Sequence, residues 1–459
     1  MTQTPPYQVT DPATGEVEQT FPFATDAEVE QALATATAAF TEWRKRPVAE
    51  RAAIVKKVGE LFTQRATDLA AIITKEMGKR PASGVGEAEF CTEIFGYYAD
   101  NGPELLADKP LPGHDSARVE YLPVGPVLGI MPWNYPYYQV ARFAAPNLVA
   151  GNTVILKHAE NCPTSALAIA QIMKDAGVPE GVYTNIFATH EQVEAMIGDK
   201  RLRGVSLTGS ERAGTAVAQT AGRNLKKVVL ELGGSDPYII LDTGDVEGAA
   251  KTAWVTRMEN VGQACNSNKR MIVMDDIYDD FVAALVKRAA SSPPRLAGDD
   301  SPKSYSPMVS RKAAENLLAQ VQDAVSKGAT LHIGGTLNDG KGAYFAPAVL
   351  TGVTPEMRAY TEELFGPVAV VYKVSSDDEA VKIANVVDFG LGGAVFSTDE
   401  QRATRVAEQL EVGMANVNTP AGEGADLPFG GTKRSGFGRE LGPLGIDEFV
   451  NKRLFYVEK

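Results

Sequence analysis

Apolar and polar positions along this chain alternate between a helical and an extended period. Residues 25–44 form an Ala-rich stretch at helical spacing, opened by Thr25 with Glu28 three positions on, the pairing of a capping box. A second helical stretch is predicted over 48–77, closed by Gly78, and a third over 85–106. The pattern then shortens. The run 127–131 lies between Pro126 and Pro132 and reads as a buried strand. Similar runs at 153–157, 183–187, 205–208 and 228–231 are separated by helices, among them one from Pro163 to about Gly177 and another over 213–222. The second half repeats this style, with helices at 246–257, 278–290 and 310–327 and a strand at 270–273. Strands alternating with helices predict parallel βαβ units and open, doubly wound α/β sheets. The tail, 451–459, alternates and favours β structure. A lone terminal strand needs a partner, so it is expected to join another sheet, with a neighbouring subunit as one source.

Length and composition narrow the class. At 459 residues the chain is long enough for about three units, and its 44% hydrophobic and 22% charged content is that of a globular protein. A net charge of −13 opposes nonspecific binding to nucleic acid or anionic lipid. The three cysteines leave an odd one over and form no CxxC, and the four histidines are scattered, so neither a disulfide framework nor a zinc site is expected. The opening residues lack the basic start and apolar run of a secretory signal, and no stretch reaches the ~20 apolar residues of a membrane span. A reducing cytoplasm is the expected location.

Four places could carry chemistry. Cys265 follows Gly262-Gln263-Ala264 in a polar loop before Lys269-Arg270, a setting for an exposed reactive thiol or equally for an inert buried one. Glu231 ends an apolar run ahead of Gly233-Gly234, and is either a base or a solvated strand-end carboxylate. Asn134 sits between Pro132 and Pro136 just past a strand, where its amide could be a fixed oxyanion donor or merely a turn former. Gly209-Ser210 follows a strand and opens a helix, a weak phosphate-binding signal, while Lys157 and Glu160 follow another strand end.

Taken in order, the motifs resemble those of the aldehyde dehydrogenase superfamily over essentially the whole chain. They include Glu76-Met77-Gly78-Lys79, Pro132-Trp133-Asn134-Tyr135-Pro136, Lys157-His158-Ala159-Glu160, Glu231-Leu232-Gly233-Gly234, Gly262-Gln263-Ala264-Cys265, the run from Glu362 to Pro367 and Pro428-Phe429-Gly430-Gly431. Glu231 precedes Cys265 by 34 residues, which suits the family's spacing. The resemblance implies two doubly wound open-sheet domains and a small β oligomerisation arm: 1–105 with 124–232 for the dinucleotide, 233–432 for catalysis, and 106–123 with 433–459 as the arm. It implies that Cys265 attacks the aldehyde, that Asn134 and the Cys265 N–H hold the oxyanion, and that Glu231 activates the hydrolytic water. Pro132, Trp133, Lys157, Glu160, Gly209, Ser210, Glu363 and Phe365 match cofactor-binding positions. Glu160 favours NAD, with NADP possible. A homodimer or homotetramer is implied.

Within the superfamily the pattern is similar to the shorter bacterial succinate-semialdehyde dehydrogenases. Arg142 matches an arginine that grips the substrate's distal carboxylate in those enzymes. Tyr138, with Tyr135 and Tyr137, is expected to line the channel. Glu259 stands where some of those enzymes carry a second arginine, and with Glu423 it would favour a cationic or neutral aldehyde. A CoA-acylating enzyme or a non-catalytic binding protein on the same scaffold are the remaining readings. An intact Glu231 speaks against the first, and the intact set of Cys265, Glu231 and Asn134 against the second.

Overall fold

The computed structural model describes residues 6–458; the first five residues, part of the start read above as lacking a secretory signal, lie outside that range, as does Lys459 of the tail. The capping box forms as expected: Thr25 and Glu28 satisfy each other's backbone at the head of the helix Asp26–Trp43. The stretch 48–77 is not one helix. It divides into Val48–Gln64 and Ala66–Met77 at Arg65, whose ψ of 11° departs from helical geometry, and the second piece ends on left-handed Gly78. The third expected helix starts earlier, at Pro81, and runs Pro81–Leu105.

Two open sheets organise the molecule. The first has the order Gly436–Phe437, Lys227–Glu231, Gly204–Thr208, Pro126–Met131, Thr153–His158, Tyr183–Asn185, with every pair parallel except the first. The second has the order Thr330–Ile333, Ala348–Thr351, Val368–Val374, Arg270–Met274, Pro237–Ile240, Gly392–Phe396, Met414–Val417, again antiparallel only at its first pair. The central strands are buried on both faces, which is why they read as continuous apolar runs rather than alternating ones. Helices such as Tyr138–Ala150 and Asp275–Ala290 pack over them in separate cores.

The tail strand Val450–Tyr456 pairs antiparallel along its whole length with Ala117–Pro123 of the same chain, and Lys109–Pro110 completes a three-stranded sheet. Its partner is therefore internal. Gly436–Phe437, by contrast, leaves the tail region and closes the edge of the first sheet beside Glu231. No helix among the described residues is long and apolar enough to cross a membrane.

Candidate active site

In the first sheet the strand order reverses at Pro126–Met131: the chain adds Thr153–His158 and Tyr183–Asn185 on one side of it, then Gly204–Thr208 and Lys227–Glu231 on the other, all parallel. Open α/β sheets bind ligands in the crevice beyond the carboxyl ends of strands at such a reversal. Asn134, Lys157, Glu160, Gly209 and Glu231 all lie at those ends. Against them come loops entering the second sheet from its amino end: 259–269 before Arg270–Met274, and 362–367 before Val368–Val374. The site forms where the outlet of one sheet meets the inlet of the other.

Asn134 is held from three directions. His158 is buried and its pKa is pushed down to about 4, chiefly by burial; its Nδ1 accepts from the Ala159 N–H, so Nε2 carries the proton toward the Pro136 carbonyl at 2.9 Å. Glu87 accepts the backbone N–H groups of Tyr137 and Tyr138 at 2.8 and 3.2 Å and is itself paired with buried Lys79. Asn260 donates to the Asn134 carbonyl at 2.9 Å. The Asn134 amide in turn donates to the Gln263 carbonyl at 3.1 Å, leaving one amide proton for another acceptor. The Asn134 side chain, a donor or a turn former by sequence, is buried and points into the site rather than into its own turn.

Cys265 is half-buried at the end of an unusual backbone stretch. Asn260 and Val261 both have positive φ, 46° and 57°, a conformation that a β-branched residue seldom adopts. Gly262 follows at φ 72°, where a Cβ would lie 2.3 Å from the Gly366 carbonyl. The thiol's pKa is pushed up to about 11, first by burial and then by Glu363 and Glu231; Arg142 and Lys269 oppose the rise. Cys91 and Cys162 are fully buried.

Glu231 is 2% exposed, and neither carboxylate oxygen has a hydrogen-bond partner among the described residues. A solvated strand-end carboxylate, the alternative left open by sequence, is thus absent. Burial, then neighbouring Glu440, hold its pKa well above the carboxylate range, while Arg142 pulls it down. Gly430 lets the backbone pass close by, since a Cβ there would sit 2.7 Å from the Glu231 Oε1. A buried, unpartnered carboxylate of raised pKa is poised to exchange a proton with a small ligand or water.

The residues matched to a dinucleotide also converge. Lys157 and Glu160 are paired, and His190 stands 3.4 Å from the same Glu160 oxygen; burial alone would raise the Glu160 pKa, but His190 and Lys157 draw it to about 2. Ser210 caps the helix Glu211–Arg223, accepting from the Ala213 N–H, and a Cβ on Gly209 would meet nothing closer than Leu207 at 3.5 Å, so the turn before the helix is open to an anion. Trp133 and Phe365 meet edge to face at 5.8 Å, with Pro132 partly exposed beside them. Glu363 accepts from the Gly234 N–H at 3.1 Å and pairs with Lys269 at 3.0 Å. These groups fit a dinucleotide laid from the ends of the first sheet toward Cys265.

The substrate-side expectations need correction. Arg142 is not an open grip: it is wholly buried, its Nε 2.8 Å from Glu440, and its two terminal nitrogens face Tyr138, Gln139 and Thr208. Burial alone would lower its pKa, but Tyr138, Glu440 and Glu231 reverse the sign and keep it charged. The carboxylate beside it is Glu440, which sequence reasoning did not single out, and not Glu259. Glu259 is exposed and accepts from the Tyr135 hydroxyl at 3.2 Å. Glu423 is an exposed residue whose pKa is raised, first by partial burial and then by the charge of Glu259. Tyr138 contacts Arg142 and stacks on Phe90. Tyr137 lines no channel; it is buried, with its hydroxyl donating to the Leu69 carbonyl at 2.9 Å.

Comparison with known proteins places the chain in a family. The profile described as "Aldehyde dehydrogenase family" matches residues 1–454. A protein of Deinococcus radiodurans named succinate-semialdehyde dehydrogenase [NADP(+)] is 52% identical over 450 residues, 98% of this chain and 94% of that one. A crystal structure of the succinic semialdehyde dehydrogenase of Streptococcus pyogenes in complex with NADP+ superposes with a TM-score of 0.94 at 40% identity, covering 99% of this chain and 100% of the other. The betaine aldehyde dehydrogenase of Staphylococcus aureus in complex with NAD+ superposes at 0.92 with 30% identity, covering 98% and 90%.

Proposed function

Because the chain belongs to the aldehyde dehydrogenase family, we propose that it oxidises succinate semialdehyde to succinate through a thioester on Cys265, with a nicotinamide dinucleotide as oxidant. The observation that carries this reading is the convergence of a thiol, a pinned amide donor and an unpartnered buried carboxylate where the two sheets meet. The Cys265 thiolate attacks the aldehyde carbon, and the carbonyl electron pair moves onto oxygen. The free amide proton of Asn134 and the Cys265 N–H stabilise that oxyanion. A bound nicotinamide supplies the hydride acceptor. Glu231, as carboxylate, then takes a proton from water as the water attacks the thioester carbon, and Cys265 leaves as thiolate.

The choice of a carboxylated aldehyde is supported by the named relative and by Arg142. Its Nε serves Glu440, but its terminal nitrogens face only uncharged oxygens, which a substrate carboxylate can replace with a stronger, paired contact. Removing Arg142 alone would strand Glu440 as a buried charge, so the informative variant is Arg142→Gln with Glu440→Gln. Its kcat/KM for succinate semialdehyde is expected to fall by about ten- to a hundredfold, the worth of a charged hydrogen bond, while that for propanal changes far less. The exposed carboxylates Glu259, which accepts from Tyr135, and Glu423 favour a second reading, a cationic aminoaldehyde. A steady-state panel that ranks 4-aminobutanal above succinate semialdehyde would establish it instead.

Either dinucleotide is expected to serve. The expectation of NAD rests on Glu160 repelling a 2′-phosphate, but Lys157 and His190 stand against that carboxylate, and the Deinococcus radiodurans relative is named for NADP(+). Glu160→Gln should shift the NADP-to-NAD ratio of kcat/KM toward NADP by about tenfold; an unchanged ratio removes Glu160 from cofactor choice. We propose 1–105 with 124–232 for the dinucleotide, 233–432 for catalysis and 106–123 with 433–459 as the arm, with Gly436–Phe437 of that last segment paired to the first sheet. The exposed Leu454 and Tyr456 on the tail strand offer a face for a homodimer or homotetramer.

A further inference from the structure

Two buried cations join the loop that bears Cys265 to the strip that bears Glu363 and Phe365. Arg257 is wholly buried and faces neutral oxygens only: its Nε donates to the Val368 carbonyl at 2.8 Å, one terminal nitrogen to the Ser267 hydroxyl at 2.7 Å, and the other to the Leu364 carbonyl at 2.7 Å and to the Gly366 carbonyl. Gly262 presses on the Gly366 carbonyl between these contacts. This fastening is independent of the second cation.

Lys269, 1% exposed, spends its ammonium on three acceptors: the Ala264 carbonyl at 2.7 Å, the Cys265 carbonyl at 2.6 Å and the Glu363 Oε1 at 3.0 Å. An ammonium has three donors and no acceptor, so all of its capacity is used. The third acceptor is the same oxygen that receives the Gly234 N–H. Gly234 in turn must lack a side chain, because a Cβ there would lie 2.5 Å from the Cys265 carbonyl. Thiol backbone, cofactor-side carboxylate and the strip after Glu231 thus share one charged centre.

We infer that Lys269 is a positioning residue that sets the aim of the Cys265 thiol and the place of the Glu363 carboxylate, matched above to the cofactor, with a single ammonium. This rests on the reading above of Cys265 as nucleophile and Glu363 as cofactor anchor. The compact lysine head suits three clustered acceptors, whereas the planar fork of arginine does not. Since Arg257 and Gly262 hold the two segments together without it, loss of Lys269 is expected to act locally rather than unfold the site.

The test reads the thiol and the cofactor separately from turnover. The charged groups acting on Cys265 are Arg142 and Lys269, which favour the thiolate, and Glu363 and Glu231, which oppose it. In the wild type, iodoacetamide labelling of the Cys265 peptide, followed by mass spectrometry, should quicken about tenfold per pH unit from pH 7 to 9, below the thiol's pKa. In Lys269→Met the rate at pH 7.5 should fall about tenfold, and the NADP+ Kd, read by protein fluorescence, should rise by a similar factor. A mere loosening of the loop would do the opposite to the thiol, exposing it and speeding labelling. Lys269→Arg should recover the labelling rate, through its charge, but not the NADP+ affinity. Should Lys269→Met fail to fold, Lys269→Gln, which keeps an amide donor for the carbonyls, carries the same expectations. Unchanged or faster labelling, or wild-type NADP+ affinity, in folded Lys269→Met or Lys269→Gln overturns the inference. Failure of the underlying reading shows elsewhere, as turnover that survives Cys265→Ala.

Discussion

Replacing Cys265 by alanine is expected to lower kcat for aldehyde oxidation by more than about a thousandfold, with NADP+ still bound. The magnitude follows from losing the only group that bonds to the carbonyl carbon, an effect of the size seen when a covalent nucleophile is deleted. What makes the loss so complete is the geometry left behind. Asn134 would still present its amide proton and Glu231 its carboxylate, but with no tethered intermediate neither has charge to stabilise or a thioester to hydrolyse. Cys91 and Cys162 cannot substitute, because both are fully buried. Steady-state assays with paired NADP+ binding measurements check this. Retention of full activity would return the chain to the class of scaffolds whose chemistry lies elsewhere.

The second large effect belongs to Glu231→Gln. Steady-state turnover should fall by about 10²–10⁴, the usual contribution of a general base, while a rapid burst of NADPH equal to the active sites persists. Glutamine keeps the shape of the side chain and removes its ability to take a proton. It also removes a group that raises the thiol's pKa, so acylation is not expected to slow. A variant with unimpaired steady-state turnover in the absence of CoA would strip Glu231 of its role. A variant rescued by CoA would indicate that an external thiol can take the acyl group once water is no longer activated.

Much of this is legible in the sequence itself. The strands Pro126–Met131, Thr153–His158 and Gly204–Thr208 stand out because parallel strands covered on both faces are apolar at most positions, with no polar alternation. The break at Arg65 was not visible, since no glycine or proline marks it and the apolar spacing runs through. Glu440 escaped notice for a different reason: a buried partner of Arg142 lies far along the chain, and nothing local in its own segment separates it from a surface carboxylate. Lys269 was noticed only as part of a basic pair. Its partners are mostly backbone carbonyls, which leave no trace in side-chain identity. Tyr137 was misplaced because adjacent tyrosines looked alike, whereas the start of the helix Tyr138–Ala150 turns its ring into the core and leaves Tyr138 beside Arg142.

These readings share one claim, that the acyl group rests on Cys265 until Glu231 releases it. Mixing Glu231→Gln enzyme with succinate semialdehyde and NADP+, quenching in acid and sequencing the labelled peptide by mass spectrometry tests it most directly. The account predicts one succinyl group per active site, located on Cys265 and absent when NADP+ is omitted. An unmodified Cys265 after a full burst of NADPH, or a succinyl group on another residue, would contradict it.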